Sequence, residues 1–182
     1  VLVLSPRMAS YLRRTPALFD LVLFDDFFNP LPSADVLDGQ MQTAIADLSV
    51  EEALDAIKRQ AQEWRFQCEI QALSHVLHPA DLGFALSVIA DIVVRAVHQL
   101  AVEDMQRRHG SIDGESTILA LGRLGIRALT VHSDLDLVVV FQANATTQSN
   151  GDRALGATAY FARLTQTFVN WLSRPTAEGS LY

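Results

Sequence analysis

The sequence predicts an α+β chain, with a helical region over residues 1–110 and a smaller region that contains strands over residues 111–182. Up to Gly110, apolar residues recur at steps of three and four, which is the spacing of one buried helix face. Beyond Gly110, short apolar runs rich in valine take over, and such runs are typical of strands. The change of period near position 110 therefore predicts both the fold class and a domain boundary.

Cap signals open the first helices. Ser5-Pro6 and Thr15-Pro16 each place an N-cap residue before a proline, whose fixed φ suits the first position of a helix. Ser33 follows the break at Asn29-Pro30-Leu31-Pro32 and can cap a helix that runs to about Leu48. These signals predict three helical segments before Ser49.

Two longer helices follow in the sequence. Ser49 and Glu52 match a capping box, in which serine and glutamate satisfy each other's free N–H groups. The helix that they open carries an amphipathic stripe made of Leu54, Ile57, Ala61, Trp64 and Cys68. His78-Pro79 ends that run. A second long helix is predicted over about Ala80–Arg108, and Gly110 stops it.

The second region mixes strands with one helix. Ile118–Leu121 and Leu135–Phe141 are apolar runs of strand length. Gln142–Gly156 is polar and contains glycine, which predicts a loop. An amphipathic helix follows, with Tyr160, Phe161, Leu164, Phe168, Trp171 and Leu172 on its apolar side. Pro175 ends this helix, and Glu178-Gly179-Ser180 predicts a turn into a third strand.

Composition narrows the classes of function. The formal net charge is −7 and no stretch is strongly basic, which argues against binding a nucleic-acid backbone. Cys68 is the only cysteine, so the chain can form neither an internal disulfide nor a zinc site of several cysteines. Charged residues interrupt the most apolar stretch, Leu82–Leu100, which therefore indicates a core helix and not a membrane span. These features, with no signal-peptide pattern at the start, favour a cytoplasmic protein.

The stretch Ile118–Phe141 carries the candidate chemistry. It joins an apolar run, a glycine turn and Ser133-Asp134-Leu135-Asp136, which opens a second apolar run. Side chains of a strand repeat every second residue, so the carboxylates of Asp134 and Asp136 point to one face. Two carboxylates at the start of a buried strand are costly to keep ionised without a cation, and hard oxygens suit a divalent metal. The plainer alternative for Asp134 alone is a turn or cap residue.

A glycine turn after one strand, with Ser-Asp-x-Asp opening the next, resembles the arrangement of polymerase-β-type nucleotidyltransferases. This resemblance implies an incomplete nucleotidyltransferase domain in the second region. It also implies that Gly122 and Ser133 line a triphosphate and that Arg123 assists with charge. Asp134 and Asp136 would be the catalytic residues and the ligands of Mg²⁺. A third carboxylate normally comes from a later strand.

The sequence resembles one family more closely, the glutamine synthetase adenylyltransferases, whose motif reads roughly G-K-L-G-G-x-E-L followed by S-S-D-L-D-L. The matching segments are Gly122–Leu129, with sequence GRLGIRAL, and His132–Leu137, with sequence HSDLDL. Tyr160–Gln166 resembles the family's F-Y-x-R-L-x-Q helix, and Glu178–Tyr182 resembles the G-x-L-Y that precedes V-D-x-R-L-R-P-x-G. Ser5–Leu23 is similar to the helical segment between the family's two catalytic domains. The chain thus resembles the central helical region and the start of the C-terminal nucleotidyltransferase domain.

The family resemblance implies a function. The family is bifunctional, because one half transfers AMP from ATP to a tyrosine of glutamine synthetase and the other half removes it by phosphorolysis. The G-x-L-Y ending and the preceding S-P helix resemble the adding half, so we expect adenylyl transfer in the regulation of nitrogen assimilation. The resemblance implies ATP as substrate and Mg²⁺ as cofactor. Glutamine synthetase and a PII signal protein are the implied partners.

Three residues depart from the family motif: Arg123 stands for lysine, Ile126 for the second glycine and Ala128 for glutamate. A β-branched residue adopts positive φ with difficulty, so Ile126 predicts an altered turn. Two alternatives stay open, namely the adenylyl-removing half and a non-catalytic regulatory domain with an eroded nucleotide site. The chain begins at Val1 and ends at Tyr182, before the motif's third carboxylate, so we expect a fragment that is inactive alone.

Overall fold

The computed structural model describes residues 25–174, so the predictions for Ser5-Pro6, Thr15-Pro16, Pro175 and the strand after Glu178 lie outside the described residues. Within these bounds the chain folds as helices packed on a small antiparallel sheet, which confirms the α+β class. In chain order the elements are a 3₁₀ helix Asp25–Phe28, α1 Ala34–Ile45, α2 Val50–Leu73, α3 Pro79–His109, β1 Gly114–Ala120, α4 Gly122–Gly125, β2 Leu137–Ala143 and α5 Ala157–Ser173.

Helices α1 and α2 begin after the serines that the sequence predicts as caps, but only the α2 serine makes a capping hydrogen bond through its side chain. Ser33 is the N-cap of α1, which ends at Ile45, short of the predicted Leu48. Ser49 and Glu52 form the complete capping box at the start of α2. The Ser49 N–H donates to Glu52 Oε2 at 3.0 Å, and the Glu52 N–H donates to Ser49 Oγ at 3.4 Å. Two N–H groups of this helix end are therefore satisfied locally, as the sequence predicts.

Helix α3 is the longest element. It spans 31 residues, which is about 46 Å at the usual rise of an α-helix. His78 caps it, since its Nδ1 accepts the N–H of Ala80 at 3.2 Å. Gly110 follows the last turn at φ +78°, in the left-handed region that favours glycine. Despite the length of α3, no helix within the described residues is both long and apolar enough to cross a bilayer.

The two strands lie antiparallel, with Ile118 opposite Val139. β1 begins ahead of the predicted Ile118, because the ladder continues through polar pairs such as Glu115 opposite Gln142. Backbone groups pair in this way whatever the side chain is, so an apolar run underestimates the strand. β2 begins after the predicted Leu135, where the chain reaches the end of its partner strand.

A shared hydrophobic core joins the helices to the inner face of the sheet. Buried residues from α1, α2, α3 and α5 form it, among them Met41, Ile57, Cys68, Ile89, Val93, Leu164 and Phe168. Ile118, Leu137 and Val139 pack against these residues from the sheet. Full burial of each large apolar side chain contributes about 1.5–3 kcal/mol. Within residues 25–174 this core crosses position 110, and the division into domains at that position stays a prediction.

The predicted polar loop lies between β2 and α5, where hydrogen bonds close it. Gln148 forms an isolated bridge with Gly156, and the buried Ser149 accepts the N–H of Leu155 on its Oγ at 3.0 Å. The loop is also joined to the segment that enters β1, since the Asn150 N–H donates to the Ser111 carbonyl oxygen at 3.0 Å. These bonds fix the approach of α5 to the sheet.

Candidate functional site

The glycine turn and the second aspartate are in direct contact. The ladder continues one residue past β1, where the Leu121 N–H donates to the Asp136 carbonyl oxygen at 2.8 Å. Gly122 then adopts φ +54°, and a Cβ placed on it would overlap Oδ2 of Asp136. A left-handed backbone and a lack of space both require glycine at this position. The resemblance implies that Gly122 lines a triphosphate, and in this structure the space over Gly122 holds the carboxylate of Asp136.

Asp134 and Asp136 lie on one face, as their spacing predicts. Exposure alternates along the segment, because both aspartates are exposed whereas Leu135 and Leu137 are half-buried against the core. The expectation of a buried strand beside them is wrong, since Val138, which continues the same face, is also exposed. Burial therefore does not by itself require a cation at this pair.

The carboxylates of Asp134 and Asp136 have no partner among the described side chains. Among the side chains that the structure describes, none forms a hydrogen bond or an ion pair with either carboxylate. In the same part of the chain, no group of three or more His, Cys, Asp or Glu side chains could hold a metal ion. Mg²⁺ is commonly bound through one or two carboxylates, with water and substrate phosphates completing its shell. Two uncommitted carboxylates on an open face are such a donor set.

Ser133 closes the turn that leads into the aspartates. Its N–H donates to the Thr130 carbonyl oxygen at 3.1 Å, and its Oγ accepts the Thr130 N–H at 2.9 Å. The two hydroxyl groups also share a hydrogen bond of 2.8 Å. The Ser133 O–H is free to donate to a ligand oxygen when Thr130 Oγ1 is the donor of that shared bond. The turn residue is therefore Ser133 and not Asp134.

Two arginines near the glycine turn differ in their partners. Arg123 lies on α4 with an exposed side chain, and no described side chain pairs with its guanidinium. Arg127 pairs through Nη1 with Oδ2 of Asp91 on α3, where the two side chains are 47% and 28% exposed. The sequence allows Arg127 to be a phosphate contact or a surface charge, and the ion pair favours the surface charge. Arg123 is therefore the better candidate for meeting an anion.

Ile126 does not strain the turn. Its φ is −94°, an ordinary value for a β-branched residue. The left-handed conformation falls instead on the next residue, Arg127, at φ +59°. The Ile126 side chain is 75% exposed, so it packs against little in this structure. The replacement of the family's glycine is accommodated because the positive φ lies one position later than the sequence suggests.

The sequence does not predict the contacts that hold the loop between α4 and β2 (residues 126–136) against the helices. Arg65 on α2 donates from Nη2 to the Val131 carbonyl oxygen at 3.2 Å across 66 positions of sequence. Ser87 on α3 accepts the Leu129 N–H on its Oγ at 3.4 Å across 42 positions. No local pattern predicts partners so far apart. One signal was available, because Arg65 lies one helical turn after Ala61, on the stripe that faces the core.

Comparison with known proteins identifies the family. The family model for glutamate-ammonia ligase adenylyltransferase matches residues 1–182. The bifunctional glutamine synthetase adenylyltransferase/adenylyl-removing enzyme of Xanthobacter autotrophicus is 37% identical over 187 residues, which cover 100% of this chain and 19% of that enzyme. The enzyme of the same name from Mesorhizobium japonicum is 34% identical over 181 residues, or 98% of this chain and 18% of that enzyme.

The chain belongs to the glutamate-ammonia ligase adenylyltransferase family, which confirms the resemblance carried by its motifs. It spans about a fifth of the length of the curated relatives that it matches. The relatives' names describe two activities on glutamine synthetase, adenylyl transfer and adenylyl removal.

Proposed function

We propose that this chain contributes the first part of a polymerase-β-type nucleotidyltransferase site that transfers AMP from ATP to a tyrosine hydroxyl of glutamine synthetase. The observation that carries the proposal is the contact between Asp136 and Gly122, beside an exposed Asp134 on the same face. A turn without a side chain lies beside two carboxylates that pair with no described side chain, so backbone and hard oxygens meet in one place. The names of the relatives supply the chemical class of the reaction.

Five residues have proposed roles in this site. Asp134 and Asp136 are the proposed ligands of Mg²⁺, which when bound neutralises charge on the phosphates and polarises the bond to be broken. Gly122 lines the triphosphate, the Ser133 O–H donates to a phosphate oxygen when Thr130 Oγ1 donates their shared bond, and the Arg123 guanidinium attracts the charge. Groups fixed in this way contribute through orientation and electrostatic stabilisation.

Glutamine synthetase is the proposed macromolecular substrate, because the relatives' names state it. A PII signal protein as regulator, a cytoplasmic location and a role in nitrogen metabolism rest on the family resemblance. A nucleic-acid partner is not part of the proposal, since a net charge of −7 gives no electrostatic footprint for a phosphate backbone.

The adenylyl-removing direction is the second candidate, because the relatives' names carry both activities. Two assays separate the directions in the complete polypeptide that the gene encodes. The first supplies ATP, Mg²⁺ and unmodified glutamine synthetase and measures AMP incorporation. The second supplies phosphate and adenylylated glutamine synthetase and measures release of ADP.

Substitution of the aspartates then shows which activity this segment serves. Asp134→Asn and Asp136→Asn are each expected to lower AMP incorporation by about 100-fold or more, because the charge that holds the metal is lost. Release of ADP should stay unchanged in both variants. Asp152→Asn, an exposed aspartate in the loop after β2, is the matched control and should leave both activities unchanged. Loss of ADP release alone would favour the removing direction, and loss of neither activity would contradict the site.

A further inference from the structure

A small hydrogen-bonded turn immediately precedes the two aspartates. Thr130 and Ser133 are joined by a backbone bond of 3.1 Å and by the bond from the Thr130 N–H to Ser133 Oγ at 2.9 Å. Both bonds join the ends of one four-residue turn, so the turn moves as a unit. Asp134 follows Ser133 directly. The orientation of the turn therefore determines the position of the Asp134 backbone, from which the carboxylate extends.

A buried arginine of the helical region donates a hydrogen bond to the middle of that turn. Arg65 on α2 is 9% exposed, and its Nη2 donates to the Val131 carbonyl oxygen at 3.2 Å. A buried guanidinium is costly unless its N–H groups are hydrogen-bonded, and this contact satisfies one of them. Val131 precedes Asp134 by three residues, and that length of chain reaches at most about 10 Å.

Helix α3 holds the same loop from a second direction. The backbone of Gly83 lies so near the loop that a Cβ there would be 3.2 Å from both the Ala128 Cα and the Leu129 carbonyl oxygen. Ser87 Oγ accepts the Leu129 N–H at 3.4 Å and donates to the Gly83 carbonyl oxygen at 2.7 Å. The Leu129 side chain is buried against α3, where it contacts Leu86 and its neighbours. The loop before the aspartates is thus fixed to both long helices.

We propose that Arg65 is a positioning residue for Asp134, which it serves by holding the turn Thr130–Ser133 against α2. This inference rests on the proposed function, because it assigns the helical region a part in that site. Fixing the turn before a metal arrives removes conformational freedom that metal binding would otherwise have to restrict. Loss of the Arg65 contact should therefore weaken metal binding by the aspartates while the helices stay folded.

The test compares Arg65→Met with Arg59→Met in the complete polypeptide that the gene encodes. Arg59 lies on the same helix with an exposed side chain, which makes it a matched control for loss of charge. The first readout is hydrogen exchange of the backbone amides in the segment 130–134, without metal or nucleotide. Arg65→Met should accelerate exchange of the Ser133 amide about tenfold or more, and Arg59→Met should not.

The second readout is the Mg²⁺ concentration that gives half-maximal AMP incorporation. Arg65→Met should raise it about tenfold with a smaller change in the KM for glutamine synthetase, and Arg59→Met should leave it unchanged. Arg65→Lys keeps a cationic donor in the same place without the planar fork, so both readouts should fall between those of the wild type and Arg65→Met. Because Arg65→Lys keeps the buried charge, it gives a result even where Arg65→Met does not fold.

Each outcome decides the proposal. Unchanged exchange in Arg65→Met and Arg65→Lys would show that the turn does not depend on Arg65. Faster exchange with an unchanged Mg²⁺ requirement would show that Arg65 holds the turn but does not position Asp134. Either result overturns the inference and leaves the proposed function standing. Full activity of Asp134→Asn would instead remove the proposed function, while the exchange measurement would still report on the contact of Arg65 with the turn.

Discussion

The carboxylate of Asp136 packs against the Cα of Gly122, and a Cβ on that glycine would overlap Oδ2 and lie 3.2 Å from Cγ. Gly122 is held there at φ +54°, on the residue that follows the last ladder bond between the strands. The two halves of the motif, turn and acidic pair, therefore meet as one structural unit. A substitution at either residue is therefore expected to change the position of the other.

Gly122→Ala is expected to lower the free energy of unfolding by about 1–3 kcal/mol, because alanine is strained in the left-handed region and meets the carboxylate. Urea unfolding measures this effect, and AMP incorporation should fall in the same variant. Gly39→Ala is the matched control, since Gly39 lies inside α1 and an added Cβ meets nothing within 4 Å. That control should gain about 0.5–1 kcal/mol. Equal effects at the two glycines would contradict the role assigned to the turn.

Arg123→Met should raise the KM for ATP about tenfold, because it removes the charged donor that we propose attracts the triphosphate. Arg127→Met should change that KM less than about twofold and cost no more than about 1 kcal/mol of stability, as expected for a partly exposed ion pair. Steady-state kinetics with varied ATP compares the two variants at equal Mg²⁺. A larger effect at Arg127 would reverse the assignment and make Arg127 the phosphate contact.

His98 is expected to make the stability of the fold depend on pH. The residue is half-buried, with Nε2 3.1 Å from Ser116 Oγ and its ring edge-on to Phe168. Burial lowers the pKa of His98 from its ordinary 6.5, so the unfolded chain binds the proton more readily. The contribution of His98 is therefore complete above pH 6.5 and is lost as the pH falls from 6.5 toward the folded pKa.

His98→Gln removes the titrating group and keeps a donor for Ser116. Urea unfolding at about pH 5 and about pH 8 should show a smaller loss of stability in this variant than in the wild type. His75→Asn is the control, because His75 is exposed and asparagine tolerates its positive φ. The same loss in His98→Gln as in the wild type would show that another group carries the pH dependence.

Cys68 should be inert in the folded protein. Its side chain is fully buried, and this burial raises the pKa of the thiol to about 12. Iodoacetamide reacts with thiolate, so alkylation of Cys68 should require unfolding. Mass spectrometry of the peptide that contains Cys68 measures labelling with and without denaturant. Rapid labelling under native conditions would mean that α2 opens locally or packs differently.

Much of the helical fold could be predicted because its signals are local. Ser49 and Glu52 stand within one turn of each other, and Gly110 stops α3 where the sequence predicts. The start of β1 could not be predicted in this way, because Glu115 joins the ladder through its partner Gln142 on the other strand. Strand length depends on the partner, whereas a helix cap depends on its own neighbours.

The candidate site divides along the same line. The common face of Asp134 and Asp136 follows from the period of an extended chain and was predictable. The openness of that face was not, because it depends on what packs over the sheet. The positive φ that was expected to strain Ile126 occurs at Arg127 instead. A comparison of motifs cannot show which residue adopts the left-handed conformation. The contact of Arg65 with the loop joins distant segments and appears only in the folded chain.

Calorimetric titration with ATP tests directly whether Asp134 and Asp136 bind a magnesium–nucleotide pair. The complete polypeptide that the gene encodes should bind ATP more tightly with Mg²⁺ than without it. In the double variant Asp134→Asn, Asp136→Asn, the gain in ATP affinity that Mg²⁺ gives should be smaller by about tenfold or more. The control Asp152→Asn should keep the full gain. Mg²⁺-dependent ATP binding that is equal in the wild type and the double variant would contradict the proposed site.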